Sequence, residues 1–424
     1  MEGRTARFVH GGLVVTIAVL FVLSAGTARG AGFSGPTRMG YQLGDDWEPA
    51  VASDGAGNVY YLLTHFGGVP GCAACADPTI MFQVSHDSGK TFNVPAPLTV
   101  NGQTQYDPQV KINAAGDVFV SYLLGKDTVV QRSADHGSTW TNPVAVNVGI
   151  KQGATDKDGL AVDGSNVYVG FDVAQRFFVA VSHDSGNTFT VAAMNANTLG
   201  WPLNGGATVG PDGSVYLVWE LVHKSGQATG PQDVAVTVSH DHGATWSLSY
   251  VDQGVPPGPS CVCGWDFMGT GSAIATDAAG TAYVVYNAPL TDQGPPAVWF
   301  SKSTDGGASW SPRALISTTA PGAWHAFPSI GAGSAGDVRV AWIDNRTGAY
   351  NLWYRSSSNG GAKWSSDVQV SQYLAGYAYI TAQGFAFPYG DYTTLQLDPA
   401  GHAQLAWAEG TSYAGPGNAF YART

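Results

Sequence analysis

Four aspartates of this chain, Asp107, Asp158, Asp266 and Asp391, stand where a pool of carboxyl groups could do acid–base work. Glycoside hydrolysis needs such a pool: one protonated carboxyl as acid, and a second as base or nucleophile. Trp265, Trp324 and Tyr389 offer flat faces on which a sugar ring can stack. Glu48 and His325 add polar contacts, and Arg346 could meet an oxyanion or a carboxylate. The same carboxylates would suit Ca²⁺, which favours several carboxylate oxygens, although the run DKDG at 156–159 is too short for a calcium loop. In a plain structural role they would bond backbone N–H groups where strands begin.

The chain has four cysteines, in CAAC (Cys72, Cys75) and CVC (Cys261, Cys263). In an exported chain disulfides are the default. CAAC can close locally, whereas a CVC bridge would be strained, so pairing between the two loops is the competing connectivity. Four thiolates would alternatively suit zinc or copper. Without Cys-x-x-Cys-His, covalent haem is not indicated. No other cofactor is required by the sequence.

These residues are scattered over the whole chain, so something regular must gather them. The octet SHDSGKTF at 85–92 returns as SADHGSTW at 133–140 and SHDSGNTF at 182–189. It returns again as SHDHGATW at 239–246, STDGGASW at 303–310 and, worn, SSNGGAKW at 357–364. The intervals between the Asp positions, with Asn359 in the last, are 48, 49, 57, 64 and 54 residues. Each octet reads as a hairpin turn: Asp accepts backbone N–H groups, Gly takes the positive φ, and the closing Trp or Phe packs against neighbouring strands.

Before each octet lies an apolar run, a polar Gly turn and a second apolar run, as in AVASDGAGNVYYL from Ala50. A seventh such pair, LQLDPAGHAQLAW from Leu395, is followed by one strand, NAFYART, and no octet. This pattern predicts an all-β propeller of four-stranded antiparallel blades, seven favoured and six the alternative. The missing outer strand would come from the N-terminal segment around 34–41, closing the ring and removing an exposed sheet edge.

Propeller geometry sorts the residues. The octets and the turns between strands one and two share one end, which places His86, His136, His183, His240 and His242 away from the funnel as solvated turn residues. The loops entering the first strands and those leaving the second open on the axis, where propellers bind ligands. There the chain carries acidic and aromatic residues, and only Arg176 and Arg346 among its arginines.

The octets resemble the Asp-box, or BNR, repeat of sialidases and their relatives, and so do WIDNRTGAYNLWYRSSSNGGAKWS (342–365), DKDGLAVD (156–163) and GDYTTLQLDPAG (390–401). The resemblance covers nearly all of the chain after its leader. It implies a sialidase-like propeller of the bacterial secreted type. A sialidase would further need three arginines on the substrate carboxylate, a Tyr nucleophile paired with Glu, and an Asp acid/base. The arginine motif of that family is absent here, and two funnel arginines are too few for the clamp. Function must therefore be argued from the site rather than the repeat. The expected function is carbohydrate recognition in the funnel, with glycoside hydrolysis if the chain is an enzyme. A non-catalytic scaffold for a protein partner, or an exported metal protein using the Cys loops, are the alternatives.

Arg4 and Arg7 precede the apolar run Leu13–Ala25 and a small-residue stretch, the layout of a secretory signal peptide over 1–30. Residues 31–424 then form one domain, exported and without a membrane span. A formal net charge of −12 argues against nucleic acid as a partner.

Overall fold

The computed structural model describes residues 32–41, 44–150, 153–195, 200–223, 231–256, 271–318, 320–348, 350–372, 392–410 and 417–424. The expected leader lies outside them, as do Cys261, Cys263, Trp265, Asp266, Tyr389 and Asp391.

Seven four-stranded antiparallel sheets form the blades of a propeller. Their innermost strands, in blade order, are Asp45–Ser53, Gln105–Ile112, Asp156–Asp163, Trp201–Val209, Ser272–Thr276, His325–Ala332 and Thr394–Leu397. In blade seven the outer strand is Thr37–Arg38, paired with Tyr421 and Phe420. The N-terminal segment therefore closes the ring, as the missing octet required, and the six-blade alternative is not realised. Hydrogen bonds from Ser34 N to Arg423 O (2.7 Å) and from Met39 N to Ala419 O (2.8 Å) extend the seam. No helix occurs among the described residues, so none there is long and apolar enough to cross a membrane.

The core is not central. It is split into layers between adjacent blades. Val51, Tyr61 and Met81 of blade one pack on Ala406 and Tyr421 of blade seven. Tyr60 and Leu62, facing the other way, pack on Val118 and Tyr122 of blade two. Successive strand residues thus feed opposite interfaces, the period-two consequence of a sheet buried on both faces.

The octet explains its own recurrence. Asp87 Oδ1 accepts the N–H groups of Lys90 (3.0 Å) and Thr91 (2.9 Å), and Ser85 Oγ accepts that of Gly89 (2.8 Å). The closing aromatic crosses to the preceding blade: Phe92 meets Tyr421 with ring centroids 5.1 Å apart, Trp140 meets Phe82 at 5.3 Å and Trp364 meets Phe300 at 5.2 Å. Gly89 has φ +76°, and a Cβ there would stand 2.1 Å from the Tyr421 hydroxyl. Glycine is demanded twice over, by the left-handed backbone and by the neighbouring blade.

Candidate functional site

The acidic residues expected in loops lie instead in the first residues of the inner strands. A bulge shifts register at one level in blades one, two, three, four and six. At it stand Glu48 (φ 51°), Asp107 (φ 54°), Lys157 (φ 47°), Gly206 (φ 137°) and Phe327 (φ 50°). A bulge re-aims the side chain it carries, and left-handed backbone is strained for anything but glycine. Four non-glycine residues held there by the sheets around them are the kind of outlier that marks a functional surface.

The bulges of blades two, three, four and six border an axial cavity with an empty volume of about 1020 Å³, counting the solvent it opens to, and Glu48 is not in its lining. Asp107, Lys157, Asp158, Glu220, Phe327 and Tyr392 line it. Asp107 and Asp158 are each 6% exposed and Glu220 is 1% exposed. Asp107 Oδ1, Asp158 Oδ1 and Glu220 Oε1 have no hydrogen-bond partner among the described residues.

Each carboxyl is placed by a neighbouring blade. Glu48 Oε2 accepts the hydroxyl of Thr64 (3.0 Å) and the backbone N–H of Asp107 (3.2 Å), so the first blade holds the bulge of the second. The Ser121 hydroxyl of blade two donates to Asp158 Oδ2 of blade three. Tyr392 of blade seven directs its hydroxyl at the carbonyls of Glu48 and Pro108, 3.4 Å from each. The Lys157 ammonium lies 5.9 Å from the centroid of the Tyr392 ring.

Burial is the first cause of the electrostatics here. It pushes the Asp158 carboxyl up to about 7 against the Ser121 hydrogen bond, and Glu220 up to about 7. Asp107 is held well above the usual carboxylate range by burial and by the like charge of Glu48. Glu48 is raised by burial too, opposed by Lys157 and by its two donors. Asp172, behind this group, is raised well above its ordinary value by burial and by Asp156. The Lys157 ammonium opposes the rise at Glu48, Asp107, Asp158, Asp172 and Glu220 alike, one positive charge among five carboxyls.

Other expected contacts lie elsewhere. Arg346 does not line the cavity. Its guanidinium forks onto Asp344 (Nε to Oδ1, 2.9 Å), donates to Asp367, and stacks 3.9 Å from the centroid of Trp353. His325 is buried between the carbonyls of Pro296 (2.9 Å) and Thr318 (3.1 Å). Trp324 packs half-buried on the core between blades six and seven, its N–H on Asn345 Oδ1. All three are fixed within or beside blade six. Cys72 and Cys75 form a disulfide with Cα atoms 5.4 Å apart. The local closure of CAAC is therefore the one realised, and these two sulfurs are not available as thiolates. No group of three or more metal-ligating side chains is arranged to hold an ion among the described residues.

Lys157, Asp172, Thr64 and Ser121 were not singled out from the sequence. Lys157 carried a signal, a cation inside the DKDG run. Thr64 and Ser121 carried none, because each acts on a residue of another strand.

The cavity has no arginine among its described lining residues; its cations there are Lys111 and Lys157. Burial, and then the charges of Asp107 and Glu48, hold the Tyr392 hydroxyl well above the usual phenol range.

No family model and no curated protein matches this chain. Solved structures do. A protein of unknown function from Dyadobacter fermentans is 13% identical with a TM-score of 0.54, over 93% of this chain and 99% of its own. The intramolecular trans-sialidase from Ruminococcus gnavus is 15% identical with a TM-score of 0.49, over 89% and 94%. A Hadza microbial sialidase is 14% identical with a TM-score of 0.48, over 81% and 73%. At such identities the likeness is one of fold alone.

Proposed function

We propose that the chain is an exported propeller that binds a carbohydrate in its axial cavity and hydrolyses a glycosidic bond there. The observation that carries this reading is the pairing of Asp107 and Asp158. They come from the inner strands of neighbouring blades, are buried, face one cavity, and each presents a carboxyl oxygen with no partner among the described residues.

Their environments divide the two tasks. Asp107, beside Glu48, keeps its proton and is the general acid at the leaving oxygen. Asp158, steadied by Ser121, ionises near pH 7 and is the base or nucleophile. Glu48 positions Asp107 through its backbone N–H. Lys157 favours the ionised form of whichever carboxyl has lost its proton. Asp266 and Asp391 stay in the acid–base pool, and Trp265 and Tyr389 are proposed platforms. A bound Ca²⁺ or a thiolate-held metal is not needed for this scheme.

The test is a glycan array and a panel of chromogenic glycosides, run on the intact protein and on Asp107→Asn and Asp158→Asn. Turnover by the parent, lost by about a hundredfold or more in each variant, supports the assignment. Turnover unchanged in both would remove these residues from the chemistry. Signal in neither assay would leave the propeller face as a scaffold for a protein partner.

A further inference from the structure

The charge of the cavity says more than the presence of an acid pair. Glu220, on the far side of the Lys157 bulge, faces the same space as Asp107 and Asp158. The three come from blades two, three and four, so one arc of the wall is acidic. The other arc, which includes Phe327, Pro328, Thr393 and Leu395, carries no carboxyl or cation among its described residues. Two amines already line the cavity: Lys157, among these acids, and Lys111, whose charged form burial disfavours. The orphan oxygens Asp107 Oδ1, Asp158 Oδ1 and Glu220 Oε1 show that they leave acceptors over. Burying polar oxygens without donors is costly, and a ligand that brings N–H donors and positive charge removes the cost.

An anionic sugar is opposed on the same ground. Its carboxylate would be desolvated against like charge, with no described arginine in the lining to fork onto it. A bare metal ion is also disfavoured, because the described carboxyls do not converge as a ligand set.

Building on the carbohydrate reading above, we infer that the cavity selects a glycan bearing a protonated amine, an amino sugar with its nitrogen unacylated. The ammonium sits against the acidic arc of blades two to four, and the ring's apolar face lies toward Phe327 and Pro328. Binding displaces protons from the buried carboxyls, so it is linked to pH and weakened by salt.

Titration calorimetry on the full chain tests this at about pH 7, with four probes: a fully deacetylated glucosamine oligomer, its N-acetylated counterpart, sialyllactose and spermidine. The deacetylated oligomer should bind at least about tenfold more tightly than each of the others. The preference should shrink in roughly 0.5 M salt. Glu220→Gln, checked for folding by its thermal transition, should cut the ratio of affinities for the deacetylated over the acetylated oligomer by about tenfold. Equal binding of the acetylated and deacetylated oligomers would overturn the amine selection and leave the glycan cavity standing. An amine preference that Glu220→Gln leaves intact would overturn the assignment of the acidic arc. Binding of spermidine alone, or of no sugar, would overturn the carbohydrate reading itself.

Discussion

The backbone N–H of Asp107 donates to the carboxylate of Glu48 across 3.2 Å, tying the bulge of the second blade to an acid on the first. A hydrogen bond to a carboxylate favours its ionised form, so the two acids are differentiated: the donors to Glu48 oppose the rise that burial causes there, while burial and then the like charge of Glu48 both raise Asp107. Glu48→Gln should remove the like charge and let Asp107 ionise at lower pH. If the chain turns over a glycoside, the alkaline limb of its pH–rate profile should move down in this variant. An alkaline limb that stays in place would show that Glu48 does not govern Asp107.

The buried acids should cost stability above neutral pH. Asp158 and Glu220 have folded-state values raised to about 7, against ordinary values of 3.8 and 4.5. A raised value means the folded chain holds the proton more tightly, so stability is greatest below about pH 4 for these groups and is lost as pH rises toward about 7. Asp158→Asn and Glu220→Gln should therefore raise the melting temperature at about pH 8 by more than at about pH 5. A gain that is the same at both pH values would refute the linkage.

Gly89 should be irreplaceable for two reasons that add. At φ +76° an alanine costs about 1–2 kcal/mol, and crowding the Tyr421 hydroxyl costs roughly 1–3 kcal/mol more. Gly89→Ala should lower the unfolding free energy by several kcal/mol in denaturant titration. A change of a few tenths would mean that the blade seven seam adapts freely.

The seam itself can be tested by shortening the chain. A form beginning at residue 44 lacks the Thr37–Arg38 strand and the bonds of Ser34 and Met39, and leaves the edge of Gly417–Arg423 open. It should associate or precipitate on size-exclusion chromatography, while a form beginning at residue 32 runs as a single folded species. Identical behaviour of the two would deny that the N-terminal strand closes the ring.

Arg346 should behave as a structural residue. Arg346→Lys loses the fork onto Asp344 and the contact with Asp367, and weakens the stacking on Trp353, a loss of about 1–3 kcal/mol. Melting temperature should fall with glycan affinity unchanged. The reverse result, unchanged melting with lost affinity, would return Arg346 to the binding surface.

The fold was legible because its signal is local and repeated. Ser85, Asp87, Gly89 and Thr91 bond one another within a single turn, so their spacing alone predicts the turn. The seventh strand pair without an octet even announced the closing strand, because a ring has no free edge. Asp107 and Asp158 were legible as residues of the axial end from their place in the loops expected to enter first strands, although the structure sets them inside those strands. Arg346 and His325 satisfied the same rule of position, yet their side chains turn to partners in or beside blade six.

By itself, then, the sequence determined the propeller of four-stranded blades, with seven favoured over six, the end of the ring on which octets lie, and the acidic character of the other end. These follow from backbone geometry acting over a few residues, repeated at each interval. Only the tertiary structure decided which acids share a cavity and where Lys157 stands among them. Thr64, Ser121 and Lys157 set those properties from different strands. Bulges that shift register by one residue choose between facing the axis and facing a neighbour, and that choice is fixed by contacts between blades.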